Sequence, residues 1–160
     1  MSYFPESARV LGPGRPKSQI PAGLTGRLMP AAMGRKPHGA PTMYVAGFII
    51  PVPADRLEAY RKWAQTSSAF FREYGCLEVV ESWEDNVPTG QTTDFRRAVA
   101  AEKDEKIVFS WQIWPSKDAL DAAEEKMHQD PRMEITGDIP FDAKRMILGC
   151  FQPIHIMGRD

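Results

Sequence analysis

From Tyr44 onward the chain switches back and forth between two side-chain periods, and the order of the switches restricts the fold more than any other feature. Tyr44-Val-Ala-Gly-Phe-Ile-Ile-Pro-Val52 is rich in β-branched and aromatic residues and reads as a strand. Its apolar residues run almost without interruption, so both of its faces are expected to be covered. Leu57, Tyr60, Ala64, Ser67, Phe71 and Tyr74 then recur at three and four residues, and Trp63 and Phe70 widen the stripe. This predicts an amphipathic helix of about 20 residues, some 30 Å long. Asp55 and Glu58 have capping-box spacing at its start, and Gly75 stands where a C′ glycine ends a helix. Cys76 to Asp85 reads as a second strand, with Leu77, Val79 and Trp83 on one face, Glu81 breaking that row, and Glu78, Ser82 and Glu84 on the other face. Thr93 to Ala101 fits either a strand or a helical turn. Ile107 to Trp114 is the clearest strand, with Ile107, Phe109, Trp111 and Ile113 on one face. Ser116 caps a second helix with an apolar stripe of Leu120, Ala123 and Met127, His128 lies in its last turn, and Asp130-Pro131 stops it. Thr136 to Asp142 reads as loop, and Lys144 or Arg145 through Ile156 as the last strand.

The resulting order, β-α-β-β-α-β, is the ferredoxin-like, split β-α-β arrangement of the α+β class. It predicts an antiparallel four-stranded sheet with two helices on one face, right-handed crossovers, and the second and fourth strands at the edges. The other sheet face would be bare although the strands look apolar on both sides. A second copy stacking its sheet there covers it most simply, which predicts a homodimer.

Residues 1–42 are unlike the rest. They hold seven of the 14 prolines and six of the 12 glycines, and their apolar residues follow neither period. They read as a disordered, basic, Pro/Gly-rich extension that cannot bury enough apolar surface to offset chain entropy. Six basic residues against the single acid Glu6 give this segment a charge of +5, and the remaining 14 basic and 20 acidic residues give 43–160 a charge of −6. Three readings of the segment are open: a targeting sequence, a basic arm for an acidic partner, or an upstream extension preceding a natural start at Met43. The abrupt onset of pattern at Met43 favours the last, and the prolines suit an amphipathic transit helix badly. Residues 43–160 form the folded domain.

Composition narrows the function classes. A net charge of −1, and −6 for the patterned part, makes nucleic acid an unfavourable partner for the core. Two cysteines exclude a disulfide-dense scaffold and a four-cysteine zinc site. No apolar run approaches the ~18 residues of a membrane span. The expectation is a soluble, cytoplasmic domain without a membrane partner.

Several short stretches stand in a specific order: Met43-Tyr-Val-Ala-Gly-Phe48, Val52-Pro-Ala-Asp-Arg-Leu-Glu-Ala-Tyr60, Thr93-Asp-Phe-Arg-Arg-Ala-Val99, Asp130-Pro-Arg-Met133 and Pro140-Phe-Asp-Ala-Lys-Arg-Met146. With Phe109-Ser-Trp111, Pro115-Ser-Lys117 and Lys126-Met127 between them, they resemble the bacterial YbaA-like family, domain-of-unknown-function family 1428. The resemblance covers essentially all of 43–160 and implies the dimeric α/β-barrel version of the ferredoxin-like fold. It brings no reaction, no cofactor and no catalytic residue, because the family has no established activity.

Candidate chemistry is sparse. No HxH, HxxxH or HExxH spacing occurs, so no metal or other cofactor is expected. His155 at the end of the last strand would need an orienting carboxylate, with Asp138 and Asp142 nearest in sequence; more often such a histidine is only a polar strand end. His128 fits its helix end structurally. Cys76 and Cys150 fall on opposite edges of the sheet, too far apart to bridge, and read as reduced, buried thiols. Trp63 and Trp111, with Phe70 beside them, are the candidate walls of a ligand pocket, against the commoner reading of tryptophans as core and interface packing. Arg96 and Arg145 are candidate clamps for a carboxylate or phosphate, against the commoner reading of loop ion pairs worth ~0–1 kcal/mol each. Two classes of function remain open. One is a protein that binds or transforms a small organic molecule without metal in a helix–sheet pocket. The other is a non-enzymatic homodimeric module for a macromolecular partner.

Overall fold

The computed structural model describes residues 43–133 and 138–158; the Pro/Gly-rich extension 1–42 and the start of the Thr136 loop lie outside the described residues. Strand β1 spans Tyr44–Pro53 and leads through a single 3-10 turn into helix α1, Leu57–Glu73. Strand β2, Glu78–Trp83, is followed by a long connection carrying the short helix α2, Phe95–Ala98. Strand β3, Glu105–Trp114, helix α3, Lys117–Gln129, and strand β4, Ile147–Phe151, complete the order. The sheet runs β2-β3-β1-β4 with every neighbouring pair antiparallel, so the second and fourth strands are its edges.

Period-two alternation sorts the side chains onto two faces. Ala46, Phe48, Ile50 and Val52 of β1 are buried in one core with Tyr60, Ala64 and Phe71 of α1 and Leu120, Ala123 and Met127 of α3. Both long helices therefore cover the same face. The opposite face is closed at one end, where Pro51 and Ile107 are buried, but Phe109 is 45% exposed, Ile147 40% and Phe151 59%. On this open face Gly47 and Gly149 are register partners. The Phe151 ring lies across them: a Cβ on Gly149 would come within 2.7 Å of its Cζ, and one on Gly47 within 3.5 Å of its Cε2.

Local signals explain most boundaries. Gly75 adopts φ +98°, and the N–H groups of Gly75 and Cys76 return to the carbonyls of Arg72 and Phe71 at 3.1 and 2.9 Å, which closes α1 as a glycine C′ should. The Ser116 hydroxyl accepts the Ala119 N–H at 3.1 Å and caps α3. Asp94 does the same for α2, accepting the Arg97 N–H at 2.8 Å, which decides the Thr93–Ala101 region in favour of a helical turn. Three expectations need correction. Asp55 does not cap α1, because the 3-10 turn Ala54–Arg56 intervenes and the cap position falls on Arg56. The last strand is five residues long and does not reach Ile156, because β1 begins at Tyr44 and offers no partner beyond the Val45–Phe151 pair. Cys150 is exposed on β4, while Cys76 is buried as expected; both are free thiols. Among the described residues no helix is long and apolar enough to cross a membrane.

Candidate functional site

The helix face of the sheet should be uniformly apolar, yet three polar side chains meet near its middle. Glu81 of β2 and Ser110 of β3 are register partners, and Gln112 lies two residues along β3 on the same face. Ser110 and Gln112 are buried, and Glu81 is half-buried. They belong to a cavity between the sheet and α1 with about 530 Å³ of atom-free space, its mouth included. Phe48 and Ile50 of β1 and Trp63 and Phe71 of α1 supply its apolar walls. The 138–146 segment covers it from the remaining side with Ile139, Phe141, Ala143 and Met146. Phe141 sets its ring edge-on against Trp63 at 4.9 Å and Tyr60 at 5.9 Å, which fixes the cover to α1.

Glu81 is held by hydrogen bonds. The Tyr60 hydroxyl donates to its Oε2 at 2.7 Å, and the Ser110 hydroxyl also bonds the carboxyl. Removal from water pushes the Glu81 carboxyl above its ordinary value, an effect larger than the opposing pull of the two hydroxyls. Gln112 is oriented by Trp114, whose indole N–H donates to Gln112 Oε1 at 3.1 Å. The donor that Gln112 can offer the cavity is therefore its NH₂ group. A carboxyl poised to bind or release a proton, an amide donor and apolar walls can hold an uncharged molecule and exchange a proton with it.

Of the six residues singled out from the sequence, Trp63 lines this cavity. Trp111 is on the opposite face of the sheet, so the two tryptophans do not form one pocket; its indole N–H reaches Glu78 Oε1 at 3.4 Å and its ring packs 5.5 Å from Phe109. Period two explains the separation, since Ser110 and Gln112 flank Trp111 and point to the helices. Phe70 stacks under the Arg132 guanidinium at 5.0 Å, one residue round the helix from Phe71. Arg96 spends its donors on Glu84 Oε2 and the carbonyls of Glu102 and Glu105. Arg145 grips Glu105 through two nitrogens at 2.6 and 2.7 Å and also bonds Asp142 and the Ala100 carbonyl. Both arginines clamp the protein's own oxygens, and Arg145 thereby anchors the segment that covers the cavity. His155 is exposed beyond β4, and its candidate partners Asp138 and Asp142 are taken by Arg56 and Arg145. Among the described residues no group of three or more His, Cys, Asp or Glu side chains is placed to hold a metal ion.

Glu81, Tyr60, Ser110, Gln112 and Phe141 were not singled out as site residues from the sequence. The signal that exposes the first is the break Glu81 makes in the Leu77, Val79, Trp83 row; Ser110 and Gln112 make the same break between Val108 and Trp114. Phe141 carries no such signal, because it arrives from an irregular segment.

The family model described as "Protein of unknown function (DUF1428)" matches residues 43–143, a range that contains Tyr60, Trp63, Glu81, Ser110, Gln112 and Phe141. The chain is 52% identical over 112 residues to the uncharacterized protein YbaA of Escherichia coli (strain K12), an overlap of 69% of this chain and 96% of that protein. It is also 52% identical over 112 residues to the uncharacterized protein YbaA of Shigella flexneri, again 69% of this chain and 96% of that protein. On both grounds the chain belongs to the DUF1428 family of proteins of unknown function.

Proposed function

We propose that this protein binds a small organic molecule in the cavity between α1 and the sheet, without a metal, as a metal-free binder or enzyme. The observation that carries the reading is the polar trio Glu81, Ser110 and Gln112 set into the core face beneath aromatic walls. A core with no ligand to serve gains stability from apolar residues at such positions. In this reading the fold is ferredoxin-like, and the bare sheet face joins two copies into a dimeric α/β barrel. The strand order, the placing of α1 and α3 on one side of the sheet and the exposed Phe109, Ile147 and Phe151 support that assembly. A cytoplasmic location belongs to the same proposal, and free Cys76 and Cys150 suit a reducing compartment.

Thermal shift of the full chain against uncharged one- and two-ring aromatic compounds tests the cavity. At least one should raise the melting temperature in a concentration-dependent way, as ligand linkage requires. Trp63→Ala should abolish the shift while leaving the circular dichroism spectrum unchanged. No shift with any of them, in a protein that purifies as a bare dimer, would move the assignment to a homodimeric module for a macromolecular partner.

A further inference from the structure

We propose that Glu81 is the proton-transfer group of this cavity, and that its substrate is an uncharged, largely apolar carbonyl compound with an acidic C–H beside the carbonyl. The proposal rests on the cavity reading above and names the ligand class and the chemistry.

Charge fixes the class. Among the described residues the side chains lining the cavity include no Lys, Arg or His, and Glu81 is the ionisable one. A carboxylate or phosphate ligand would meet no countercharge and one repelling carboxyl, and Arg96 and Arg145 are committed elsewhere. A cationic ligand would need aromatic faces arranged around it. Here Tyr60, Trp63 and Phe141 spend ring faces and edges on one another, tilted or edge-on with centroids 4.9 to 5.9 Å apart, instead of opening them to a cation. What fits is a neutral molecule that lays apolar surface on the apolar lining and turns one polar atom to the sheet.

The groups on the sheet then have separate tasks. The Tyr60 and Ser110 hydroxyls hold the Glu81 carboxyl and position it towards the cavity. The ionised carboxylate takes the proton as the C–H bond breaks, and the electron pair passes into the carbonyl to give an enolate. The enolate oxygen needs a donor, and the Gln112 NH₂ group, turned by Trp114, supplies one. Once the protonated carboxyl has exchanged its proton with water, delivery of the new one to the same carbon replaces the original hydrogen; delivery to a more distant carbon of a conjugated substrate moves the double bond. Atoms and electrons balance with no oxidant, reductant or cofactor.

The titratable group facing Glu81 is Tyr60 on α1; β3 brings Ser110 and Gln112, and the covering segment brings Ile139, Phe141 and Met146, all uncharged. The reaction should therefore follow ionisation of Glu81, with a midpoint above the ordinary glutamate range.

The test uses 2-tetralone with the full chain in D₂O, followed by proton NMR. Saturation transfer reports binding, and loss of the α-proton signals reports proton transfer in the same tube. The wild type should bind the ketone saturably and exchange its α-protons at least about tenfold faster than buffer, with Glu81→Gln still binding but losing the acceleration. Tyr60→Phe removes a bond that favours the carboxylate, so it should move the pH midpoint upward, which a purely structural loss would not do. Binding without acceleration in the wild type overturns the proton-transfer role and leaves the cavity reading standing. Absence of saturable binding overturns both. Tighter binding of tetramethylammonium than of the ketone overturns the uncharged class.

Discussion

Glu81 occupies a place where an apolar side chain would hold α1 to the sheet with less strain on solvation. Its carboxyl is raised in the folded protein relative to the unfolded chain, so the folded state holds more protons in the window between the two values. Stability contributed by the protonated form is complete below the unfolded value of ~4.3 and declines as pH rises through the folded one. Glu81→Gln should therefore melt higher than wild type at pH 8, by roughly 2–4 °C, with the difference closing at pH 4. Calorimetry at the two pH values checks this, and an equal difference at both would show that burial of the charge is not the cause. This residue was half legible in the sequence. A carboxyl in an otherwise apolar row is visible without coordinates; what turns it into a site is the Phe141 ring, brought in from 60 residues away by a segment with no period of its own.

Elements were legible where a single side chain terminates them, as with Ser116 on α3 and Gly75 on α1. They were less legible where a boundary depends on a partner strand, as at both ends of β4. The irregular segments were the least readable, and they are held by ions. Arg145, just before β4, bonds Glu105 at the start of β3 while Asp142 accepts its Nε–H at 2.8 Å. Removing the guanidinium would leave the Glu105 carboxylate, whose side chain is only 6% exposed, with the Glu102 N–H but without its countercharge. Arg145→Met should cost about 2–3 kcal/mol, less than for a fully buried pair because the arginine keeps 23% exposure. Urea denaturation measures it. The double variant with Glu105→Gln should recover a large part of the loss, since the stranded charge is then gone. If the double variant is as unstable as the single one, the arginine acts through packing instead.

At the scale of the whole molecule the sheet has one finished face and one unfinished one. Continuous apolar runs in β1 and β3 announce two covered faces in the sequence, but the described residues supply helices for only one. In the dimer proposed above, Phe109 lies near the middle of the buried face, beside Phe95 and Trp111. Phe109→Glu should convert a dimeric protein into a folded monomer, read by light scattering after gel filtration. An unchanged dimer would place the contact elsewhere. The open face also carries its own reporter. Because the Phe151 ring rests where side chains of Gly47 and Gly149 would stand, one α-proton of each glycine lies beneath the ring. Ring current should shift those two resonances well upfield, to a quiet region of the spectrum. Any second molecule that settles on this face and moves the ring will return them to their usual place, so docking can be followed without label or ligand, at single-residue resolution.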